Sequence, residues 1–351
     1  MQTAVTHILP LTTVVRERLL PAPGRVVVRV GQRVTATEVI AETSLPREHV
    51  LINVAHAFGI TPEKASKLIQ CNKGDRLAKG AVIAESGGII ARSVRAPQDG
   101  RVVVMGDGKV MLEVGQANFE LKAGIPGEVA QVIPDRGAII HGSGALVQAR
   151  WGNGRMDFGL MNSLAETPEA ELEPGMVDIN LRGSVVLGGY CGDKKTLDNA
   201  AELLVRGLVL SSLSPALIST ALQMRYPILV LEGFGKHPFN PTTYRLLTTN
   251  AKREVAINAE ASDRYSGQTP ELMIPLPATA PPPIPAETAE WAEGQQVRIF
   301  RAPYYGAVGS LTALPAEPQA LPSGVLARVA AVQLPGGEQV TVPLANMELL
   351  A

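Results

Sequence analysis

The pattern of apolar and polar residues divides the chain into three parts. Residues 1–160 consist of short apolar or alternating runs between glycine-containing turns, which is typical of antiparallel β structure. In residues 175–262, strand-like runs alternate with amphipathic helical runs, which predicts a small parallel sheet covered by helices. Residues 291–351 return to short strands and turns. The pattern therefore predicts a multi-domain, mainly β protein that contains one small α/β unit.

The first part contains an internal repeat. The stretch VGQRVTATEVIAE at 30–42 matches KGDRLAKGAVIAE at 73–85, with the same spacing throughout. Each copy places a glycine, Gly31 or Gly74, where a tight turn between two short strands needs a positive φ. We therefore expect two copies of one small β unit within a domain that spans residues 1–160.

A helical insert is predicted between the two copies, over residues 45–70. Apolar residues recur there at helical spacing, at Val50, Val54, Ala57 and Phe58. Thr61 and Pro62 are suited to the cap and the first position of a second helix. The pair could be a helix-turn-helix or a small insert in a β domain. The insert is favoured because the second helix carries only Lys64 and Lys67 as cations.

The α/β unit offers a candidate ligand site, because ligands of open parallel sheets bind beyond the carboxyl ends of the strands. The residues at the predicted strand ends are Gly188, Gly189, Ser211, Glu232, Gly233, Phe234 and Gly235. Small residues let a ligand approach the backbone, and helix N-termini favour anions, so a nucleotide or another anionic metabolite is the ligand to expect. The alternative is that these loops need glycine and polar caps for structural reasons only, and neither a dinucleotide fingerprint nor a P-loop is present.

A proline-rich spacer separates the last domain from the rest. Residues 263–290 contain it, and eight of the ten residues from Pro277 to Ala286 are proline or alanine, which predicts an extended and semi-rigid linker. Residues 291–351 then have the short antiparallel strands of an SH3-like barrel. Their stretch RAPYYGAVGSL, at 301–311, places two tyrosines before a glycine.

Charge is unevenly distributed although the net charge of the chain is only −1. Residues 1–160 hold 19 Lys and Arg against 14 Asp and Glu, whereas residues 291–351 hold three arginines, no lysine and four acids. Any contact with nucleic acid is therefore expected in the N-terminal part, where cations can neutralise phosphates.

No catalytic or metal-binding signature stands out. The five histidines are scattered, the two cysteines, Cys71 and Cys191, are far apart, and no nucleophile elbow occurs. We therefore predict no catalytic residue, no metal and no cofactor, and the sequence favours a protein that is not an enzyme. The absence of a leader pattern and of a long apolar run predicts a cytoplasmic protein without a membrane segment.

Residues 25–115 resemble the barrel-sandwich hybrid fold, because KGDRLAKGAVIAE is followed by VRAPQDGRVV at 94–103. This fold occurs in biotinyl and lipoyl carrier domains, in large RNA polymerase subunits and in NADH-oxidoreductase subunits of ion-pumping complexes. A carrier would need a modified lysine at an exposed hairpin tip, for which Lys109 is the candidate. Neither the biotinyl nor the lipoyl sequence context surrounds Lys109, so an ordinary turn lysine is favoured.

Residues 294–320 resemble the KOW motif of NusG-type transcription factors and several ribosomal proteins. The resemblance lies in the pattern G-x-x-V-x-I followed by an aromatic residue before a glycine, and it implies that the motif loop contacts RNA or a partner protein. The candidate partner-binding residues are Arg298, Arg301, Tyr304, Tyr305 and Gly306. The scarcity of cations favours a protein partner over RNA, and a purely structural bend is the remaining alternative.

The favoured hypothesis is a non-enzymatic interaction or scaffold protein attached to the transcription or translation machinery. One alternative is the binding of a nucleotide or another anionic metabolite, with or without catalysis, at the strand ends of the α/β unit. Another alternative is nucleic-acid binding by the basic N-terminal part. The sequence leaves the oligomeric state open.

Overall fold

The computed structural model describes residues 2–87, 91–263 and 267–351. Strands hold 47% of the chain and helices 13%, so the prediction of a mainly β protein is confirmed. Three larger sheets of eleven, seven and five strands and two short hairpins make up the β structure of the described residues. No helix among the described ranges is both long enough and apolar enough to span a lipid bilayer.

The described residues of the N-terminal part form twelve strands and two short helices. The strands are β1 (Gln2–Thr6), β2 (Ile8–Leu19), β3 (Arg25–Val26), β4 (Arg33–Val34), β5 (Val39–Asn53), β6 (Arg76–Leu77), β7 (Val82–Ser86), β8 (Arg92–Arg95), β9 (Gly100–Gly106), β10 (Lys109–Lys122), β11 (Gly127–Ile133) and β12 (Gly137–Gln148). The helices are α1 (Val54–Phe58) and α2 (Pro62–Ser66). Strands β5 and β10 pair along almost their whole length and form a long antiparallel ribbon.

The ribbon joins two units, of which one is inserted into the other. The inner unit, residues 49–114, lies at one end of the ribbon, and its sheet has the order β6-β9-β10-β5. The outer unit, residues 8–42 and 121–148, lies at the other end and has the order β4-β11-β12-β2. Neighbouring strands are antiparallel in both sheets, and each unit has its own buried apolar cluster.

The repeat predicted from the sequence has the same backbone geometry in both units. Gly31 and Gly74 have φ angles of 81° and 100°, so the predicted positive φ is confirmed. The amide of Gly31 donates to the carbonyl of Val129 over 2.8 Å, and the amide of Gly74 donates to the carbonyl of Val102 over 2.8 Å. One copy of the repeat therefore belongs to the outer unit and the other to the inner unit.

A second, shorter repeat completes the duplication. The pattern A-x-x-x-G-x-V occurs at 96–102 and at 123–129. A Cβ on Gly100 would lie 2.7 Å from the carbonyl oxygen of Glu113, and a Cβ on Gly127 would lie 2.3 Å from that of His141, so both sites need glycine for close approach of the next strand. The register also shifts by one residue directly after each copy, which is the signature of a β-bulge.

The prediction of helix over the whole of residues 45–70 is wrong for residues 45–53, which belong to β5. There the exposed His49 and Leu51 alternate with the partly buried Val50 and Ile52, so the apolar residues follow the period of a strand. The two helices that do form are only five residues long.

In the middle part, residues 151–263 and 267–275 form seven strands and three α-helices. The strands are β13 (Trp151–Gly152), β14 (Met156–Ser163), β15 (Val185–Gly188), β16 (Gly207–Leu213), β17 (Ile228–Phe234), β18 (Glu254–Asn258) and β19 (Glu271–Pro275). The helices are α3 (Lys194–Glu202), α4 (Ile218–Gln223) and α5 (Pro241–Thr249), and single 3-10 turns occur at Pro174–Met176, Ile179–Leu181 and Pro215–Leu217. Strands β14 to β17 are parallel. Strands β18 and β19 join them to β12, so one eleven-stranded sheet runs from the α/β unit into the outer unit.

The C-terminal sheet includes a strand from the beginning of the chain. Its strands are β20 (Thr288–Glu290), β21 (Gln296–Ile299), β22 (Val308–Ala313), β25 (Val329–Gln333), β26 (Gln339–Pro343), β27 (Met347–Leu350) and β1. A separate hairpin, β23 (Gln319–Ala320) and β24 (Leu326–Ala327), and a 3-10 turn at Leu344–Asn346 complete this part. Strand β1 pairs in parallel with β27 and antiparallel with β20.

The proline-rich segment lies along the first two strands. The hydroxyl of Thr12 donates to the carbonyl of Pro283 over 2.9 Å, and the hydroxyl of Thr13 donates to that of Pro282 over 2.5 Å. His7 Nε2 lies 3.2 Å from the carbonyl oxygen of Ala286. The segment has no regular secondary structure, but these contacts hold it on the outer unit.

Candidate functional site

Gly188 and Gly189, the first two glycines at the predicted strand ends, lie in close contact with another segment of the same chain. A Cβ on Gly188 would lie 2.7 Å from the side chain of Leu172, and a Cβ on Gly189 would lie 1.6 Å from the carbonyl oxygen of Ala170. Tyr190 also exchanges backbone hydrogen bonds with Ala170 and Leu172, each 2.8 Å long. Glycine is therefore needed here because a neighbouring backbone segment passes directly over the strand end.

The strand-end serines organise the loop after β17. Ser211 is fully buried, with its Oγ 3.5 Å from that of Ser212. Ser212 Oγ donates to the carbonyl of His237 over 2.8 Å and accepts from the His237 amide over 3.0 Å. Phe234, another predicted ligand residue, packs edge-on against Trp151 with 5.7 Å between the ring centroids. These contacts fix the loop and point it toward the C-terminal sheet.

A buried charge network joins the α/β unit to the C-terminal sheet. Arg298 Nη1 pairs with one carboxylate oxygen of Glu232. The other oxygen accepts a hydrogen bond from the backbone N–H of Asn240 over 2.9 Å. Arg298 Nε donates to Glu348 over 2.5 Å, and Arg150 Nη1 lies 2.6 Å from the same carboxylate. Glu232 was predicted as a ligand residue and Arg298 as a partner residue, and the structure pairs them with each other.

Burial and charge act in opposite directions on Arg298. Its side chain is only 4% exposed, and burial would lower the pKa of the guanidinium, but the carboxylates of Glu232 and Glu348 outweigh this effect and raise that pKa. The network alternates two positive and two negative groups, so each charge has an opposite neighbour; Arg298 and Glu232 are buried, whereas Glu348 and Arg150 are partly exposed. We interpret it as the clamp that fixes the orientation of the two parts.

Tyr305 packs against one side of the charge network. Its ring stacks on the imidazole of His237, with 4.3 Å between centroids and 26° between planes. Its hydroxyl donates to the carbonyl of Glu232 over 3.4 Å. A Cβ on Gly233 would lie 2.6 Å from this hydroxyl, and one on Gly235 would lie 2.9 Å from the imidazole, so both glycines make room for the stacked pair.

Tyr304, the preceding residue, contacts the C-terminal sheet rather than the α/β unit. Its hydroxyl donates to Glu338 over 3.0 Å, and this hydrogen bond raises the pKa of Tyr304. Gly306 has a φ of 81°, and the Ala307 amide donates to the Tyr304 carbonyl over 3.0 Å, which closes the turn between β21 and β22. Arg301 is exposed and makes no hydrogen bond or ion pair with a described residue.

A cleft of about 860 Å³, which we call the junction cleft, opens beside the two tyrosines. One wall comes from the α/β unit, with residues 168–169 and 237–242, and the other from the C-terminal sheet, with residues 303–310 and 333–335. Its lining contains prolines from both walls, namely Pro168, Pro238, Pro241, Pro303 and Pro335. Among the described residues that line it are one acid, Glu169, and one histidine, but neither lysine nor arginine.

Of the residues predicted from the sequence, Tyr304, Tyr305 and Gly306 line the junction cleft, whereas none of the predicted ligand residues at the strand ends does. Asn240 is a detectable signal, because an asparagine before a proline marks a helix start, and its Oδ1 accepts from the Thr242 amide over 2.8 Å. The wall at 333–335 carried no signal, since it is an ordinary hairpin turn in the sequence. Only the pairing of strands shows that these segments are neighbours.

Other candidate positions lie apart from the junction cleft. Lys109 is exposed at the tip of the β9–β10 hairpin, beside a pocket of about 440 Å³ that the short helices α1 and α2 help to line. Within residues 2–87, 91–263 and 267–351, no group of three or more His, Cys, Asp or Glu side chains is arranged to hold a metal ion.

Comparison with models of known protein families gave no match for this chain, and comparison with curated protein sequences gave no significant similarity.

Proposed function

We propose that this protein is an interaction protein that binds an extended segment of a partner protein in the junction cleft. The observation that carries the proposal is the lining of the cleft, where two tyrosines and five prolines from separate parts of the chain face one space. Grooves lined by aromatic rings and rigid apolar residues favour peptides in the extended polyproline conformation, which lose little entropy on binding.

The size of the cleft supports a short peptide. Its volume of about 860 Å³ lies in the upper part of the range for ligand sites and would hold a few residues of extended chain. Tyrosine is well suited to this role because it offers a large amphipathic surface and has few rotatable bonds. Tyr305 is already held by its stack on His237, so part of the surface is preorganised.

The charge of the cleft supports a neutral or basic peptide. Glu169 lies in the lining, and Glu338 accepts a hydrogen bond from Tyr304. The nearby cations Arg298 and Arg150 are already paired with carboxylates of the buried network. An anionic metabolite or an RNA backbone would meet carboxylates without a free arginine or lysine among the described lining residues. The same geometry therefore supports the predicted protein partner better than a nucleotide or another anionic ligand.

The test uses fluorescein-labelled hexaproline peptides with one terminal arginine or, as the matched probe, one terminal glutamate. We expect fluorescence polarisation to show tighter binding of the arginine peptide. Tyr304→Ala should weaken this binding by about tenfold, because it removes a half-buried ring from the cleft. Arg301→Ala is the control, since this exposed residue lies in the same turn but outside the lining.

The proposal fails if neither peptide binds, or if Tyr304→Ala leaves the affinity unchanged. Preference for the glutamate peptide, or a rise in melting temperature with ATP that Tyr304→Ala removes, would instead support an anionic ligand in the cleft.

The resemblance of residues 294–320 to the KOW motif supports a partner from the transcription or translation machinery. A photo-crosslinking amino acid at position 304 would test this in intact cells. We expect crosslinks to an RNA polymerase or ribosomal protein that persist after nuclease treatment, and crosslinks to unrelated proteins would contradict it.

A further inference from the structure

The outer surface of the inner unit carries an exposed apolar row. The register places Leu51, Met111 and Val104 directly side by side on three neighbouring strands. Leu51 is 57% exposed and Val104 is 55% exposed, while Met111 between them is partly buried. Three adjacent aliphatic side chains on one sheet face are unusual for a surface that stays in water.

Two arginines border this row. Arg76 on β6 and Arg101 on β9 are direct cross-strand partners, and both are exposed. Neither forms an ion pair with a described residue, and Glu113, the next residue across the sheet, lies 3.7 Å from His49 instead. Like charges in directly opposite positions destabilise a sheet, so this pair would be relieved by a bound carboxylate.

The outer unit shows that the fold does not require this surface. Its equivalent row contains Gln131, Ile139 and Glu17, and the residue opposite Arg33 is Glu128. The strand order, the register and the bulge are the same in both units. The apolar row and the arginine pair are therefore features of the inner unit alone, added to a shared backbone.

We propose that this surface binds the segment Glu173–Ile179 of a second copy of the chain. That segment exposes the carboxylates of Glu173 and Asp178 and the apolar side chains of Met176 and Ile179, of which Ile179 is 63% exposed. It therefore offers negative charge and aliphatic surface to a partner that presents positive charge and aliphatic surface. Within one copy Glu173 forms no ion pair with a described residue, and both oxygens of the exposed Asp178 carboxylate accept hydrogen bonds from the neighbouring Asn180.

The two surfaces lie on different parts of the chain, so the contact is heterologous. Such a contact joins copies head to tail and produces a ring or an open chain of copies. Affinity arises from burial of the apolar row, and the arginine–carboxylate contacts make it sensitive to salt.

The test is sedimentation equilibrium of the full chain between about 1 and 100 µM protein, at low and high salt. We expect the mean mass to rise with protein concentration at low salt and to rise less at high salt. Arg76→Glu and Val104→Asp should each weaken association by about tenfold. The matched controls, Arg33→Glu and Gln131→Asp, occupy the equivalent places of the outer unit and should leave association unchanged.

Charge exchange gives the decisive measurement. Glu173→Arg alone should weaken association, and Glu173→Arg combined with Arg76→Glu should restore it, because the ion pair is rebuilt with its charges reversed. A wild-type protein that stays monomeric at all concentrations would overturn the proposal, as would a double variant no better than the single ones. Salt-sensitive binding of duplex DNA or anionic vesicles that Arg76→Glu removes, without self-association, would assign the surface to a different partner.

Discussion

The inner and outer units have the same backbone and different surfaces. Both contain a four-stranded antiparallel sheet with one glycine turn, one close glycine and one bulge at matching places. The outer unit continues into the eleven-stranded sheet, whereas the inner unit is connected to the rest through the β5–β10 ribbon. The residues that shape the backbone are therefore kept in both copies, while the exposed residues differ between them.

Matched substitutions in the two cores should have the largest effect. Val102 and Val129 are fully buried at equivalent positions, so aspartate at either place would cost at least about 3 kcal/mol. We expect Val102→Asp to increase hydrogen exchange only within residues 49–114, and Val129→Asp to increase it in the outer unit and the eleven-stranded sheet. Exchange that rises everywhere in both variants would show that the inner unit does not unfold separately.

Substitution of the turn glycines should have a smaller effect on stability, and one of similar size in the two units. Gly31→Ala and Gly74→Ala should each cost about 1–2 kcal/mol, because alanine disfavours the positive φ at both positions. A Cβ at either glycine would have no neighbour within 4 Å, so no steric contact should add to this cost. Hydrogen exchange of the flanking strands would measure the two losses, and clearly unequal values would contradict the equivalence.

Acidic pH should affect the stability of the outer unit and that of the inner unit differently. Burial alone would raise the pKa of Glu260, but its hydrogen bonds and ion pair with Arg18 of the outer unit lower that pKa below its usual 4.5. This pair therefore adds stability above pH 4.5, and the contribution is lost as the pH falls through the lowered pKa. Both tryptophans, Trp151 and Trp291, lie outside the inner unit, so their fluorescence reports the rest of the chain.

We expect the urea midpoint measured by tryptophan fluorescence to fall between pH 5 and pH 3, and Glu260→Gln to reduce this dependence while lowering the midpoint at pH 6. An unchanged slope in the variant would mean that Glu260 does not supply the pH dependence.

The smallest effect concerns the exposed arginines. Arg76→Glu would place a carboxylate opposite Arg101 and should stabilise the inner unit by about 0.2–1 kcal/mol. Arg33→Glu would place a carboxylate opposite Glu128 and should destabilise the outer unit by a similar amount. Thermal unfolding of the two variants should shift in opposite directions, and a shift in the same direction would contradict the cross-strand account.

Local features of the fold were predictable from the sequence where one residue type decides the backbone. The turn glycines Gly31 and Gly74 and the helix start at Pro62 are examples. The helix expected over residues 45–53 was wrong because Val50 and Val54 fit a helical spacing while their neighbours fit a strand, and the pairing with β10 decides in favour of the strand. Short apolar runs do not distinguish the two.

The candidate site could be predicted only in pieces. Tyr305 and Gly233 each stood out as a local pattern, but nothing in the sequence indicated that they are in contact. The approach of the C-terminal sheet to the α/β unit depends on buried pairs such as Arg298 with Glu232, which are 66 residues apart. Opposite charges at that separation are too common in a sequence to identify a pair.

The pairing of β1 with β27 also imposes a delay during synthesis. Thr6 donates to Glu348, which follows 342 residues later, and Val5 and Thr6 form their parallel ladder only with Leu349 and Leu350. At about 5–20 residues per second a ribosome needs roughly 20–70 s to cover that distance. Throughout this time the edge of β1 that pairs with β27 has no strand partner, and an open strand edge is a site for wrong pairing. The C-terminal sheet can therefore be completed only after β27 has been made, long after β1.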